Sequence, residues 1–162
     1  MDRSKVSIAD PASKRKMDMS ELQGQCMCGA VTVTATPARE SISACHCEMC
    51  QRWASGPYLS FQTASGYAAL GPVQTYQSSG WAERAFCGKC GSALWYRMTA
   101  GEHKGQTQMS AGLFENAGGN ELRLELYIDK KPAGYAFDSS SRKLTGADVI
   151  DMFAPSGEGN SQ

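Results

Sequence analysis

Seven cysteines, gathered in three short clusters, constrain this chain more than any other feature. The clusters read Cys26-Met27-Cys28, Cys45-His46-Cys47-Glu48-Met49-Cys50 and Cys87-Gly88-Lys89-Cys90. Four cysteine ligands close a structural zinc site, whereas three ligands leave one coordination position free for chemistry. An odd number of cysteines also argues against a complete disulfide framework. The sequence therefore predicts one closed and one open metal site.

The first and third clusters together supply the four thiols of the closed site. Two residues separate Cys87 from Cys90, and Gly88 between them allows the tight turn of a zinc knuckle. Cys26 and Cys28 are two positions apart, so on a strand both sulfurs point to the same side. We predict that these four cysteines hold one tetrahedral zinc. The alternative is two pairs of free thiols or a disulfide.

The middle cluster offers three sulfurs, from Cys45, Cys47 and Cys50, and no fourth cysteine remains for it. Its fourth ligand is water, a substrate, His46 or another residue, and a side chain in that place would close the site. On a strand His46 points away from its neighbours, which favours an orienting or packing role. Three thiolates around a dication make a weak Lewis acid for water, so the open position favours thiol chemistry over peptide hydrolysis.

Short segments of alternating apolar residues predict a mainly β domain with little helix. The strand candidates cover residues 31–35, 58–61, 73–76, 93–96, 107–113 and 122–128. Thr145, followed three residues later by Asp148, is typical of a helix N-terminus, and Pro155 ends the apolar pattern that follows. One C-terminal helix is therefore expected, and a short helical turn is expected after Cys50.

Charge and chain organisation exclude several classes of function. Residues 1–23 are expected to form a flexible polar tail, 24–155 a zinc-binding β domain, and 156–162 a second flexible tail. Sixteen basic and sixteen acidic residues cancel, so no net field attracts nucleic acid or an anionic membrane. The sequence shows neither a secretory signal nor the ~20-residue apolar run of a membrane helix. We expect a cytoplasmic protein, since a reducing compartment keeps thiols free for metal.

The residues around the clusters resemble the glutathione-dependent formaldehyde-activating enzymes, a family that shares its domain with centromere protein V. The resemblance covers about residues 22–153. Its motifs are Gly24-Gln25-Cys26-Met27-Cys28-Gly29-Ala30-Val31, Cys45-His46-Cys47-Glu48-Met49-Cys50 and Phe86-Cys87-Gly88-Lys89-Cys90-Gly91-Ser92-Ala93-Leu94. Two further segments add to it, Tyr76-Gln77-Ser78-Ser79 followed by Arg84, and Ile128-Asp129-Lys130-Lys131-Pro132.

The resemblance implies a fold of several coiled antiparallel β-sheets around zinc, with two zinc ions per chain. It implies a structural zinc on Cys26, Cys28, Cys87 and Cys90, and a catalytic zinc on Cys45, Cys47 and Cys50. The family's reaction joins formaldehyde and glutathione to S-(hydroxymethyl)glutathione, in the class of carbon–sulfur lyases. The chain has Gln51 where many members have Arg, and Ser55 where many have Gly. Both departures border the open zinc.

Glutathione carries two carboxylates, which arginine binds through its planar fork. Arg52, Arg84 and Arg97 are the arginines nearest to the clusters in sequence, and Arg52 is the preferred contact because it must lie close to Cys50. The expected partner is a small thiol such as glutathione, and a homodimer is compatible with the sequence. A non-catalytic thiol-binding zinc module would share every cysteine and stays open as the alternative function. A chromatin role is disfavoured by the zero net charge.

Overall fold

The computed structural model describes residues 20–154, and over this range the chain is mainly β-sheet, as predicted. The strands are β1 (Leu22–Gln25), β2 (Thr32–Pro37), β3 (Ser41–Cys45), β4 (Tyr58–Leu70), β5 (Val73–Ser79), β6 (Ala82–Cys87), β7 (Ala93–Met98), β8 (Thr107–Ser110), β9 (Glu121–Leu126) and β10 (Arg142–Leu144). The helices are α1 (Glu48–Ala54) and α2 (Gly146–Phe153), and three 3-10 turns cover Ala111–Leu113, Glu115–Gly119 and Ile128–Lys130.

Strand β4 is 13 residues long and joins two parts of the sheet. Its first half pairs with β3 and β8, and its second half pairs with β2, which in turn pairs with β1. The main sheet runs in the order β10-β9-β3-β4-β8-β7-β6-β5. Because one strand serves both parts, the sheets wrap around a common core instead of stacking as separate layers.

Two strand pairs depart from the antiparallel arrangement that the sequence motifs imply. Strand β9 runs parallel to β3 and also parallel to β10. Parallel neighbours need a long crossover connection, and β3 is separated from β9 by five intervening strands. The pairing places the end of β3, at Cys45, beside Leu126 at the end of β9. It therefore brings the C-terminal part of the domain against the middle cysteine cluster.

The hydrophobic core lies between β2, β4, β6, β7 and β8. Val31 and Val33 are buried with exposed Thr32 between them, which confirms the predicted alternation in this segment. Phe61 and Met109 are buried in the same cluster, and so are two of the cysteines, Cys26 and Cys87. The four-cysteine cluster is therefore part of the wall of the core.

The two helices begin at defined caps. The Thr145 hydroxyl accepts a hydrogen bond from the Asp148 backbone N–H, and the Asp148 carboxylate accepts one from the Thr145 backbone N–H. This reciprocal capping box starts α2 and confirms the predicted C-terminal helix. Helix α1 begins directly after Cys47, so it includes Cys50 instead of following it.

The predicted N-terminal tail lies almost entirely outside the described residues, and so does the second tail at 156–162. Strand β1 begins at Leu22, two residues before the predicted domain start. Between residues 20 and 154, no helix is both long enough and apolar enough to cross a membrane.

Candidate metal centres

Cys26, Cys28, Cys87 and Cys90 converge on one point, and all four sulfurs lie within 4.8 Å of one another. The Cys26 and Cys28 sulfurs are 3.6 Å apart, and the Cys28 and Cys87 sulfurs are 4.0 Å apart. A tetrahedral zinc with bonds of ~2.3 Å to sulfur places its ligands ~3.8 Å apart. The observed spacing therefore fits a zinc ion without rearrangement of the chain.

Two turns of similar shape present these sulfurs. Cys26 lies at the start of the turn between β1 and β2, and its N–H donates to the Val31 carbonyl at 2.9 Å. Cys87 ends β6, and its N–H donates to the Ser92 carbonyl, also at 2.9 Å. The expectation that the first pair lies on a strand was wrong, because the chain turns at Gly29, where φ is +71°. Each pair is thus a knuckle in which a glycine takes up the left-handed conformation.

Ser92 links the two knuckles. Its hydroxyl accepts a hydrogen bond from the Met27 N–H at 3.1 Å and lies 3.2 Å from the Cys90 sulfur. Hydrogen bonds from the Ser92 hydroxyl and backbone lower the pKa of Cys90 to about 5. A thiol that ionises readily is a good metal ligand, since the thiolate is the form that binds. One side chain therefore orients the second knuckle and favours its bound form.

Cys45, Cys47 and Cys50 also place their sulfurs within 4.8 Å of one another. Cys45 ends β3, Cys47 caps α1, and Cys50 lies in the first turn of that helix. The Cys47 sulfur accepts a hydrogen bond from the Cys50 N–H at 3.4 Å. A strand end followed at once by a helix N-terminus is what turns three nearby cysteines towards one point.

The thiols of this cluster cannot all ionise by themselves. Hydrogen bonds from Cys45 and Cys50 lower the pKa of Cys47 to about 2, and the positive charge of Arg84 contributes in the same direction. The same contacts, together with burial, raise the pKa of Cys45 far above its ordinary value. Neighbouring anions repel one another, so the three sulfurs share protons until a cation lies between them. The donor set therefore fits a divalent soft metal.

Arg84 is a buried charged residue that contacts this cluster directly. It is only 3% exposed, and its Nη2 donates to the Cys50 sulfur at 3.4 Å. The guanidinium carbon lies 5.2 Å from the ring centre of Tyr96, 5.7 Å from that of Trp53 and 5.8 Å from that of Tyr58. Three aromatic faces thus hold a buried cation against the cysteines.

His46 is fully buried and lies on the other side of the Cys45–Cys47 segment. Its Nε2 is 3.0 Å from the Glu125 carboxylate, and its Nδ1 is 3.0 Å from the Tyr135 hydroxyl. An ionised carboxylate only accepts, so Nε2 carries the proton and donates. With both ring nitrogens engaged, His46 acts here as an orienting residue and is not placed as a metal ligand, in line with the favoured interpretation of the sequence.

Arg52 lies on the outer face of α1. Its side chain is 75% exposed and pairs with Glu48, also exposed, at 3.2 Å. The structure therefore keeps Arg52 near Cys50 along the helix but directs its guanidinium to solvent, so its contact with substrate stays a prediction. Gln51, on the same helix, donates to the carbonyls of His46 and Lys130 at 2.6 and 2.9 Å. These hydrogen bonds connect the segment that carries Cys45 and Cys47 to the residues that follow β9.

The sequence offered Arg84 only as a possible carboxylate contact and did not single out Glu125 or Tyr135, although all three lie around the middle cluster. Arg84 had a readable signal, because it occupies an inward position of β6 between Ala82 and Phe86, where a charge is unexpected. Glu125 and Tyr135 gave no such signal, since the parallel pairing of β9 with β3 that brings them to His46 depends on the tertiary fold. Tyr127 follows β9 with a φ of +55°, a strained backbone beside the cluster.

A cavity of about 590 Å³ opens beside the four-cysteine cluster. Its wall is formed by Gln25, Cys26, Met27, Ala54, Pro57, Tyr58, Leu59, Ser92, Ala93, Ser110, Gly112, Leu113, Phe114 and Glu115. Tyr58, which lines the cavity, also packs against Arg84. No lysine or arginine lines it, so it offers no cationic partner for a carboxylate.

Comparison with known proteins gives a consistent family relationship. The model of the family described as glutathione-dependent formaldehyde-activating enzyme matches residues 21–130, a range that contains all seven cysteines. An uncharacterized lyase of Schizosaccharomyces pombe is 32% identical over 134 residues, covering 82% of this chain and 96% of the relative. The family resemblance of the sequence motifs is thereby confirmed.

A solved structure supports the fold. The crystal structure of a Rhodobacter sphaeroides protein is similar with a TM-score of 0.50, covering 58% of this chain and 88% of that chain. Its sequence is 19% identical, so the similarity concerns the fold alone.

Proposed function

The chain belongs to the glutathione-dependent formaldehyde-activating enzyme family, and we propose that it is a lyase acting on adducts of a small thiol. The lyase assignment is supported by the name of the yeast relative, which is an uncharacterized lyase. In this proposal glutathione is the thiol and formaldehyde the carbonyl compound. The reaction joins them by a carbon–sulfur bond to give S-(hydroxymethyl)glutathione, or cleaves that bond in reverse.

The observation that carries the proposal is the difference in ligand number between the two clusters. Four sulfurs gather at Cys26, Cys28, Cys87 and Cys90, but only three gather at Cys45, Cys47 and Cys50. Among residues 20–154, no histidine or carboxylate completes the smaller group. We therefore assign a structural zinc to the larger cluster and a catalytic zinc with an open position to the smaller one.

Zinc held by the smaller cluster would supply a position for a thiolate or a polarised oxygen. The chain's own residues prepare the site around it. Cys47 sits at the N-terminus of α1, where the helix dipole and the Cys50 N–H favour its ionised form. Trp53, Tyr58 and Tyr96 enclose Arg84 and keep water away from its charge.

The buried polar network fixes the segment that carries the ligands. His46 lies between Cys45 and Cys47, and its ring is held by Glu125 and Tyr135. Its backbone N–H donates to the Leu126 carbonyl at 2.9 Å. Such constraints orient the segment that carries both neighbouring sulfurs, which strengthens metal binding.

The remaining elements of the proposal follow from the same residues. Arg52 contacts a glutathione carboxylate by rotating away from Glu48, which an exposed side chain can do at little cost. The zinc-binding domain spans residues 24–155. All seven cysteines are free thiols, which suits a reducing compartment such as the cytoplasm.

The test combines metal content with a kinetic assay. We expect two zinc ions per chain, one of which a chelator removes early without loss of the circular dichroism signal. Formation of S-(hydroxymethyl)glutathione should be faster with the enzyme than without it, and the removal of the labile zinc should abolish the acceleration. Glutathione binding without acceleration would instead support a non-catalytic thiol-binding module.

The role of Arg52 has its own readout. In Arg52→Gln we expect a higher KM for glutathione and an unchanged KM for 2-mercaptoethanol, which has no carboxylate. Arg123→Gln is the matched control, because Arg123 is also exposed and also pairs with a nearby glutamate on its own element. Equal KM values for glutathione in Arg52→Gln and the control would remove Arg52 from the site and leave the lyase proposal intact.

A further inference from the structure

Arg84 is a buried cation without a carboxylate partner. Its side chain is 3% exposed, and in the described part of the chain no aspartate or glutamate forms an ion pair with it. A buried charge is strongly unfavourable unless an opposite charge accompanies it. Among residues 20–154, the acidic group that it contacts is the cysteine cluster, through the Cys50 sulfur. The fold therefore holds Arg84 in place for the charge of that cluster.

One hydrogen-bond donor of Arg84 remains unused. Nη2 donates to Cys50, whereas Nη1 is buried and has no partner. Both nitrogens belong to one planar group, so the unused donor is fixed in the interior together with the nitrogen that donates to Cys50. A buried donor without an acceptor costs stability, and such a group in a native structure calls for an explanation. A ligand that brings an acceptor to the cluster would satisfy it.

The aromatic rings around Arg84 keep the guanidinium from turning elsewhere. Trp53 comes from α1, Tyr58 from β4 and Tyr96 from β7, so three separate elements hold one group. Ring faces attract the cation but accept no strong hydrogen bond. The rings therefore fix the position of the guanidinium without occupying its N–H donors. Arg84 is thus preorganised before any ligand arrives.

We propose that Arg84 determines the ligand specificity of the open site by making its fourth position accept an anion. This inference rests on the proposed function. Three thiolates and a divalent metal carry a net charge of −1. A thiolate as fourth ligand makes the net charge −2. With the charge of Arg84 included, the buried centre is neutral before the anion binds and −1 afterwards, and the unused Nη1 of Arg84 donates to the incoming anion. A neutral ligand gains neither effect.

The experiment uses the cobalt(II)-substituted protein, whose thiolate charge-transfer band reports the ligands of the metal directly. The probes are 2-mercaptoethanol, which binds as a thiolate, and imidazole, which binds uncharged. In Arg84→Gln we expect the affinity for 2-mercaptoethanol to fall at least about tenfold, the usual effect of one hydrogen bond to a buried charge. The affinity for imidazole should change by much less. Equal losses for both probes would show a structural role only, and no loss for either would also overturn the proposal.

Two further variants separate the possible failures. Arg84→Lys keeps the charge, so it should retain most of the preference for 2-mercaptoethanol over imidazole. If Arg84→Lys lost this preference as fully as Arg84→Gln, the charge argument would be contradicted. This variant also serves if Arg84→Gln does not fold. Arg123→Gln removes an exposed charge and should leave both affinities unchanged. Subtracting the spectrum of the cobalt-substituted Cys47→Ser protein from that of the wild type leaves the charge-transfer band of the open site. If this difference spectrum showed no band, the open metal site itself would be overturned, which is a different result from lost selectivity.

Discussion

The four-cysteine cluster, called here the closed cluster, joins two turns that are far apart in the chain. The three-cysteine cluster, called the open cluster, comes from six consecutive residues. Cys28 and Cys87 are 59 residues apart, and each belongs to a separate knuckle. Cys45, Cys47 and Cys50 follow one another at the end of β3 and the start of α1. A metal between distant turns constrains the whole chain, since it closes a long loop, while a metal within one turn constrains little beyond it. The same ligand type can thus serve the fold or the chemistry.

The two clusters also differ in the side chains that surround them. The closed cluster has two cysteines in the core and is supported by one hydroxyl, that of Ser92. The open cluster is flanked by a buried arginine on one side and a buried histidine–glutamate pair on the other. Buried charges cost stability and are kept where they have a function. This difference in electrostatic surroundings supports the proposal that the open cluster is the catalytic one.

The largest effect should come from Cys87→Ser. Cys87 is fully buried and ends β6, so its loss removes a metal ligand and a core contact together. Structural zinc sites supply on the order of 10 kcal/mol, which is comparable with the whole net stability of a domain. We expect no cooperative thermal transition in circular dichroism. A Cys87→Ser protein that melts like the wild type would contradict the structural role of this cluster.

The second effect concerns activity and should leave the fold in place. Cys47→Ser removes one ligand of the open cluster but breaks no link between distant parts of the chain. We expect the rate of S-(hydroxymethyl)glutathione formation to fall by more than about 100-fold, since even indirect support of a metal site is worth 10–100-fold. The melting temperature measured in parallel should shift by only a few degrees. If Cys47→Ser unfolds as completely as Cys87→Ser, the division between the two clusters fails.

The sequence was sufficient to group the seven cysteines into the two clusters that the structure shows, because cysteine spacing reflects local backbone geometry. The two cysteine pairs carry turn signals of their own, Gly29 after the first pair and the glycines at 88 and 91 in the second. The alternation in β2 and the cap of α2 are local in the same way, and both were predicted correctly. Local patterns of this kind depend on backbone geometry within a few residues, so no tertiary information is needed to interpret them.

The contacts of Glu125 and Tyr135 with His46 could not be predicted, because these residues are distant from His46 in sequence. Glu125 reaches His46 only through the parallel pairing of β9 with β3, and no local pattern announces that pairing. Ranking the arginines by their distance from Cys50 in sequence likewise gave no sign that Arg84 is buried and contacts Cys50. Arg52 is closer to Cys50 in sequence, but its position on α1 faces solvent, whereas β6 carries Arg84 into the interior.

A smaller effect should follow from Glu125→Gln, which weakens the support of the open cluster. Glu125 is 1% exposed and accepts hydrogen bonds from Ser141 at 2.6 Å and from His46 at 3.0 Å. Removing its charge breaks a buried pair, and we expect a loss of about 3 kcal/mol in urea unfolding. Glu121→Gln is the control, because Glu121 is exposed and pairs only with exposed Arg123, so it should cost about 0.5 kcal/mol or less.

The stabilisation from Glu125 should also depend on pH. Burial alone would raise its pKa, but hydrogen bonds from Ser141, His46 and Lys143 outweigh burial and lower it from 4.5. A carboxyl whose folded-state pKa is depressed stabilises the fold above its unfolded-state pKa. That stabilisation is lost as the pH falls through the folded-state pKa. The difference in stability between wild type and Glu125→Gln should therefore be constant near neutral pH and shrink below about pH 4.5.

The smallest effect should come from Ser92→Ala, the corresponding change at the closed cluster. Its hydroxyl contacts the Met27 N–H and the Cys90 sulfur, but both contacts lie close to the surface, where water can replace them. We expect a loss of about 1 kcal/mol, the net value of one hydrogen bond, or a fall of roughly 2–4 °C in Tm. Ser79→Ala, which removes a hydroxyl from an exposed turn, is the control. A loss from Ser92→Ala larger than that from Glu125→Gln would mean that the closed cluster also depends on its surroundings, and not mainly on its four ligands.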